Sequence, residues 1–360
     1  MKKRIVFVGG FLGAGKTTLL FEAAKRLAAR GVRAGLVTND QAPELVDTAF
    51  LRTTGLKVAE VSGSCFCCNF PGMVNAMDAL FDGAGVDVVL AEPVGSCADL
   101  SATLLQPLKD KKGGDVSVAP ISVLADPVRL QGILDGNSAG LHGSSAYIFR
   151  KQLEEADFIV LAKADTLRDG ALAGRLAAAY PMAEIFTVSA RTGAGMDAWL
   201  DAVLSRDGAG AHLIEVDYDT YAEGEAVLGW LNATYELASG GDADWKVFAS
   251  TLMDALGRAF DAIPATVGHV KLALHSGGPL LAANLTGTRE TLEVRGGSLR
   301  GKAAVLTLNA RAQMTPEQLE GIVREQMANT CGAEIAAKTA AFRCLSPGYP
   351  KPTHRYGKVV

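Results

Sequence analysis

A chain of 360 residues is long enough for two cores of ordinary size, and 49% hydrophobic against 21% charged residues excludes a disordered polymer. With 35 basic and 39 acidic residues the formal net charge is −4, and no half carries the basic run that a nucleic-acid partner needs. No uninterrupted apolar stretch of about eighteen residues calls for a membrane; six cysteines, three of them crowded together, form no disulfide framework and fit a reducing cytoplasm.

Over roughly the first 200 residues, short β-rich runs alternate with helical patterns, which predicts a parallel sheet with helices on both faces. The first strand, Ile5–Val8, follows Met1-Lys2-Lys3-Arg4 and leads directly into glycines, so it reads as a buried strand rather than a signal peptide. Next comes Gly10-Phe11-Leu12-Gly13-Ala14-Gly15-Lys16-Thr17, a full match to G-x-x-x-x-G-K-[ST] between a strand and a helix. Its glycines allow backbone N–H groups to converge on a β-phosphate at a helix N-terminus. Lys16 is expected to reach the β- and γ-phosphates and to act in catalysis, while Thr17 takes Mg²⁺. Gly10, Gly13, Ala14, Gly15 and Thr18 complete the expected nucleotide contacts in this loop. Leu19, Leu20, Ala23, Ala24, Leu27 and Ala28 give Thr17–Arg30 a helical period that Gly31 closes.

A second strand, Ala34–Thr38, leads to Asp40, which is either a catalytic Mg²⁺- or water-side acid or an ordinary loop aspartate. After a third strand, Val58–Val61, stands Cys65-Phe66-Cys67-Cys68. In an extended segment Cys65 and Cys67 share a side, with Cys68 opposite unless the chain turns. Three thiolates converging through a loop suit Zn²⁺ or, second, Co²⁺; inert packing and redox reactivity are the alternatives.

The strand Val86–Ala91 ends at Glu92, placed to act in catalysis beside Mg²⁺ or, more plainly, to cap the next segment. Gly95 can offer its N–H to a γ-phosphate. Cys97, two residues on, reads as a small buried residue or a fourth thiolate. Strands at Pro120–Ala125 and Phe158–Ala162 follow, the latter leading into Lys163-Ala164-Asp165. This is the place of a guanine-reading Asn-Lys-x-Asp, with Ala162 where the Asn stands. After Glu184–Val188, Ser189-Ala190-Arg191-Thr192-Gly193 resembles a second guanine loop. Lys163, Asp165, Ser189 and Ala190 are therefore the expected base contacts, GTP the expected nucleotide, and ATP the alternative.

The organisation read from these patterns is a nucleotide domain over 1–204, a linker over 205–212, an α+β domain over 213–345 with a ferredoxin-like alternation, and a tail over 346–360. In the second domain strands are expected at Ala226–Leu237, His269–His275, Leu280–Thr286, Ala303–Asn309 and Thr339–Cys344. Helices are expected over Trp245–Ala262 and from Thr315, where Gln318 completes a capping box. A turn at Ser276-Gly277-Gly278-Pro279 joins the strand pair. His269, His275 and His354 read as structural because no second donor is spaced to join them.

The phosphate loop, Glu92-x-x-Gly95, Cys65-x-Cys67-Cys68 and a smaller C-terminal α+β domain together resemble the CobW-type metallochaperone GTPases, relatives of the UreG and HypB nickel chaperones. One departure is Ser64, which separates Gly63 from Cys65, where the family has Gly directly before the first cysteine. The resemblance implies a GTPase using GTP and Mg²⁺, a transition-metal ion held by Cys65, Cys67 and Cys68, and delivery to a client metalloprotein. It leaves open a homodimer across the nucleotide. The rival readings are an ATP-using phosphotransferase and a non-catalytic metal-sensing module.

Overall fold

The run Arg-Ile-Val-Phe-Val makes β1 (Lys3–Gly10), buried along nearly its whole length, the centre of a parallel sheet. Its neighbours are β4 (Val88–Glu92) on one side and β5 (Val116–Val118) then β6 (Ser122–Ala125) on the other. The seven-strand order is β3-β2-β4-β1-β6-β7-β8, with β2 (Ala34–Asp40), β3 (Lys57–Ser62), β7 (Phe158–Leu161) and β8 (Glu184–Thr187). Every pairing is parallel, so all strands end at one edge and the loops that follow them share it. The strand expected over Pro120–Ala125 begins only at Ser122, since Pro120 has no N–H to give the ladder, and the short β5 that precedes it was not expected.

The structure is a computed structural model and describes residues 3–40, 46, 55–263, 266–277, 280–287 and 292–360. These residues fall into two units, one of Met1–Gln41, Leu56–Gly224 and Tyr349–Val360, the other of Ala42–Gly55 and Glu225–Gly348. In the first unit, helices α1 (Lys16–Ala29), α2 (Phe70–Asp78), α3 (Gln106–Lys112), α4 (Pro127–Leu134), α5 (Gly143–Glu154), α6 (Leu172–Ala179) and α7 (Met196–Ser205) accompany the sheet. Residues 205–212 are tied to it. Asp157 accepts from Gly210 N and Ala211 N at 2.7 and 2.9 Å, and Gln106 donates to Gly210 O at 2.7 Å.

Following α8 (Tyr218–Ala226), the second unit carries a six-stranded antiparallel sheet. Its elements are β9 (Gly229–Asp244), α9 (Trp245–Asp261), β10 (Val267–His275), β11 (Leu281–Leu285), β12 (Glu293–Arg295), β13 (Arg300–Ala312), α10 (Pro316–Cys331) and β14 (Ile335–Leu345). Taking β9, β10, β13 and β14 as strands one to four, their order is 2-3-1-4, a β-α-β-β-α-β ferredoxin-like core extended at one edge by β11 and β12. The first strand differs from expectation at both ends. Ala226 closes a helix, and β13 and β14 flank β9 so that the ladder carries it past Leu237 to Asp244. For the same reason the last strand is longer than Thr339–Cys344. Gly278 and Pro279 of the expected turn lie outside the described residues. Among the described residues, no helix is long and apolar enough to cross a membrane.

Candidate functional site

The loop from β1 to α1 needs glycine where the chain doubles back. Gly10 has φ +128°, and a Cβ there would stand 2.5 Å from the Leu124 carbonyl oxygen on β6. Gly13, Ala14 and Gly15 form the turn, with Ala14 N donating to Phe11 O at 3.2 Å. Helix α1 opens from Gly15 with no side-chain cap and no acidic residue in its first turn, which leaves the N-terminus, including Lys16, Thr17 and Thr18, open to an anion. The Lys16 ammonium is buried and donates to Gly10 O at 2.8 Å. Thr17 Oγ1 meets both Glu92 oxygens, at 2.9 and 3.1 Å, so the two hard oxygen donors read from sequence lie together. Gly95 closes the other side; a Cβ on it would stand 3.0 Å from Lys16 Nζ and 3.2 Å from Leu12 N, a crowding that glycine avoids. Asp40 ends β2, paired with Ser62, but its side chain lies outside the described residues.

The cysteines do not lie on an extended segment. The chain turns at Cys65, whose carbonyl accepts from Cys68 N and Asn69 N at 3.1 and 2.9 Å, and Asn69 then caps α2 by accepting from Gly72 N. The turn brings Cys68 round to the side of the other two. Sγ of Cys65 and Cys67 are 3.0 Å apart, those of Cys67 and Cys68 3.9 Å, and all three lie within 4.8 Å of one another. Hydrogen bonds from Cys67, Cys68 and Cys97 hold the Cys65 thiol well below its ordinary range. The bond to Cys65 pushes Cys67 up, and likewise Cys68, to about 11. The cluster thus keeps one thiolate and shares the remaining protons around it.

Two side chains and the tail hold this turn. Asn39, next to Asp40, donates to Val61 O and Ser64 O at 2.9 and 2.8 Å and accepts from Phe66 N at 2.8 Å. Phe66 is fully buried edge-on to Phe7 of β1, 6.5 Å between centroids. From the tail, Lys351 N donates to Cys68 Sγ at 3.3 Å, Thr353 N to Cys67 O at 2.8 Å and Thr353 Oγ1 to Cys68 O at 3.1 Å. His354 packs edge-on against Phe70, and Arg355 pairs with the buried Asp99 at 2.7 Å. Burial pushes the Asp99 carboxyl up despite Tyr218 and Arg355.

After β7, Lys163 takes a left-handed conformation (φ +52°) and pairs with Asp126 at 2.6 Å. Asp165 accepts from Ser189 Oγ and pairs with the exposed Arg191, both at 2.5 Å, and these contacts, the Ser189 bond foremost, hold its carboxyl below the usual range. Ala190 follows Ser189 directly in the same loop. The two loops expected to read a base therefore meet at Asp165.

Residues 4–186 match the family model described as the CobW/HypB/UreG nucleotide-binding domain, just over half of the chain. The chain belongs to the CobW/HypB/UreG family. Among solved structures, HypB of Archaeoglobus fulgidus is 19% identical over 55% of this chain and 87% of its own, with a TM-score of 0.40. HypB of Helicobacter pylori, solved in complex with nickel, is 19% identical over 56% and 86%, with 0.41. The Zn(II)-bound YjiA GTPase of E. coli is 14% identical over 92% and 99%, with 0.34. No curated protein matches this chain in sequence.

Several residues around this CobW/HypB/UreG site carry no motif. Asn39 and the tail residues Lys351 and Thr353 bond through groups that any loop contains. Gln152 of α5 donates to Gly95 O and Cys97 O at 3.0 and 2.8 Å, and only its burial on a helix face distinguishes it. Arg129, half-buried over the Phe11 ring at 5.6 Å and bonded to Leu12 O, braces the phosphate loop from α4. Its place two residues after a Pro-led helix start was the available signal.

Proposed function

We propose that this chain is a GTP-hydrolysing metallochaperone that carries a transition-metal ion, Zn²⁺ or Co²⁺, on Cys65, Cys67 and Cys68 and delivers it to a client metalloprotein in a nucleotide-dependent way. The observation that supports it is one unit holding both a phosphate loop and three mutually adjacent thiols. Zn–S bonds of about 2.3 Å place tetrahedral sulfurs about 3.8 Å apart. The Cys67–Cys68 spacing of 3.9 Å already matches that edge, and the 3.0 Å between Cys65 and Cys67 needs only a small opening.

In this reading residues 1–204 form the nucleotide domain and 213–345 the smaller one, working in a reducing cytoplasm. The N–H groups from Gly13 to Thr18 cradle the β-phosphate, and Lys16 turns from Gly10 O to the γ-phosphate. Thr17 and Glu92 are hard oxygen donors suited to Mg²⁺, which when bound neutralises charge on the β- and γ-phosphates. Gly95 N–H meets the γ-phosphate, and Asp40 orients the attacking water. Water attacks the γ-phosphorus and the GDP oxygen leaves with the bonding pair. Asp165 accepts from guanine N1 and N2 hydrogens once Arg191 yields, with Lys163, Ser189 and Ala190 around the base. Ala162 brings no amide to this site, so guanine preference rests on Asp165; competition between labelled GTP and ATP tests it.

Equilibrium Zn²⁺ titration with a non-hydrolysable GTP analogue, with GDP and with neither tests the coupling. Three different affinities are expected; one affinity in all three states refutes it.

A further inference from the structure

The turn that follows β4 is held from one side by a single residue. Cys97 N donates to Val94 O at 3.0 Å and closes the turn, while the carbonyls of Gly95 and Cys97 both accept from Gln152 Nε2, at 3.0 and 2.8 Å. Two carbonyl oxygens can face only the NH₂ end of an amide, which fixes the orientation of this side chain. Gln152 is 1% exposed, and its Oε1 finds no partner among the described residues. An apolar side chain of the same length would spare that desolvation, so the amide is there for what its nitrogen donates.

The same helix also reaches the phosphate loop. Phe149, one turn before Gln152 on α5, packs on Phe11 with 5.8 Å between ring centroids. Glu155, just past the helix end, accepts from Ser101 N at 2.9 Å, further along the segment that leaves Gly95. Helix α5 therefore holds both walls around Lys16, the phosphate loop at Phe11 and the turn after β4 at Gly95. Those walls close on each other where the Cβ position of Gly95 stands 3.0 Å from Lys16 Nζ and 3.2 Å from Leu12 N.

Resting on the reading of this chain as a GTPase whose Gly95 N–H meets the γ-phosphate, we propose that Gln152 is a positioning residue for hydrolysis: it sets the Val94–Cys97 turn against Lys16 before any nucleotide arrives. A donor fixed in advance spends nothing on reorganisation when charge redistributes over the γ-phosphate, and such preorganisation is a large part of electrostatic catalysis. Gln152 itself acts only through Gly95. GDP has no γ-phosphate, so Gln152 governs what is done to GTP and not how GDP is held. Satisfying two buried carbonyls is by itself a folding role, and the two roles part in kinetics and in exchange.

The test uses the full chain. Gln152→Met keeps the length and removes the donor; Gln152→Glu keeps the shape and turns an acceptor toward the two carbonyls. The kcat for GTP should fall about tenfold in Gln152→Met and further in Gln152→Glu, a displaced donor keeping part of the about 10²–10³-fold that a removed one loses. Affinity for GDP should stay within about twofold and KM for GTP within about threefold. A kcat within about twofold of the wild type, or GTP and GDP affinities that fall together, overturns the proposal; the second result marks a residue of the fold alone. Amide hydrogen exchange on the nucleotide-free wild type needs no variant. Residues 94–97 should exchange as slowly as β4; fast exchange that slows only when a GTP analogue binds overturns the proposal, because the nucleotide and not Gln152 then orders the turn. If Lys16→Ala hydrolyses GTP at the wild-type rate, the GTPase reading itself fails. If Lys16→Ala is inactive while Gln152→Met matches the wild type, that reading stands and only the positioning role is lost.

Discussion

The phosphate loop and the cysteine turn belong to one unit and flank one sheet edge, yet they are held by different kinds of bond. The phosphate loop is shaped by its own backbone: glycine at positive φ, an uncapped helix start, and a lysine on a carbonyl six residues back. The cysteine turn is held from outside, by Asn39 on β2, Phe66 against β1, and tail residues more than 280 positions away. A locally built site keeps its shape when distant parts move. A site held by borrowed contacts changes whenever its lenders do, which suits the metal release that the proposed carrier role requires.

The sharpest way to break this contrast is to disable each site alone. Lys16→Ala removes the buried ammonium beside Gly95, and hydrolysis should fall about 10²–10³-fold. Zn²⁺ affinity without nucleotide should stay as it was. Phosphate release and metal titration on the same preparation check both halves, and full-rate hydrolysis in the variant would mean the loop does not serve the nucleotide. Cys67→Ser is the mirror image. Its sulfur lies 3.0 Å from that of Cys65 and 3.9 Å from that of Cys68, so Zn²⁺ affinity should drop about a hundredfold, beyond a typical supporting residue, while GTP affinity stays level.

Acidity sharpens the comparison further, since only one of the two sites should respond to it strongly near neutrality. Cys68 is pushed up to about 11 and Cys67 is raised too, so both are protonated at pH 7 and must each lose a proton to become ligands. The sign follows: affinity for Zn²⁺ rises with pH, by about a hundredfold per unit for the two released protons. Titrations at pH 6, 7 and 8 measure the slope. A flat profile would show that the thiols are already ionised.

How far the sequence was legible follows the same division. Gly10 to Thr17, Glu92 and Gly95 were readable because a phosphate site built from backbone needs particular residues at particular spacings, and the structure puts them side by side. The three cysteines were readable as donors, but not their turn, which depends on Asn39 and Asn69 bonding to carbonyl and amide groups that every residue owns. The parallel sheet followed from alternating strands and helices. The extra length of β9 did not, since its end at Asp244 is set by pairing with Arg300, far along the chain. Contacts made through main-chain atoms leave no mark on residue identity, and the tail over Cys67 and Cys68 is made largely of them.

Asn39→Ala probes the contact between those two classes. Three hydrogen bonds join it to Val61, Ser64 and Phe66, so the turn should loosen and Zn²⁺ affinity fall about tenfold, in the range of residues that support a metal ligand. Nucleotide affinity should change much less. Equal losses at both sites would erase the distinction between a local and a borrowed scaffold, and isothermal titration of each ligand would reveal it.

The smallest effect is expected from the tail, and it is the most discriminating. Arg355→Ala leaves the Asp99 carboxylate, 1% exposed, with the Tyr218 hydroxyl on one oxygen. Breaking a fully buried pair costs about 3–5 kcal/mol; with roughly a third of the Arg355 side chain in solvent, about 1–2 kcal/mol is the better figure. That is a modest fall in melting temperature. Arg355 lies two residues from Thr353 and four from Lys351, the donors to Cys67 O and Cys68 Sγ, so weakening this anchor should free both bonds. Zn²⁺ release to a chelator should then quicken a few-fold with GTP binding untouched. If melting falls and release does not change, the tail is a strap for the fold alone, and the cysteine turn owes its shape to Asn39 and Phe66.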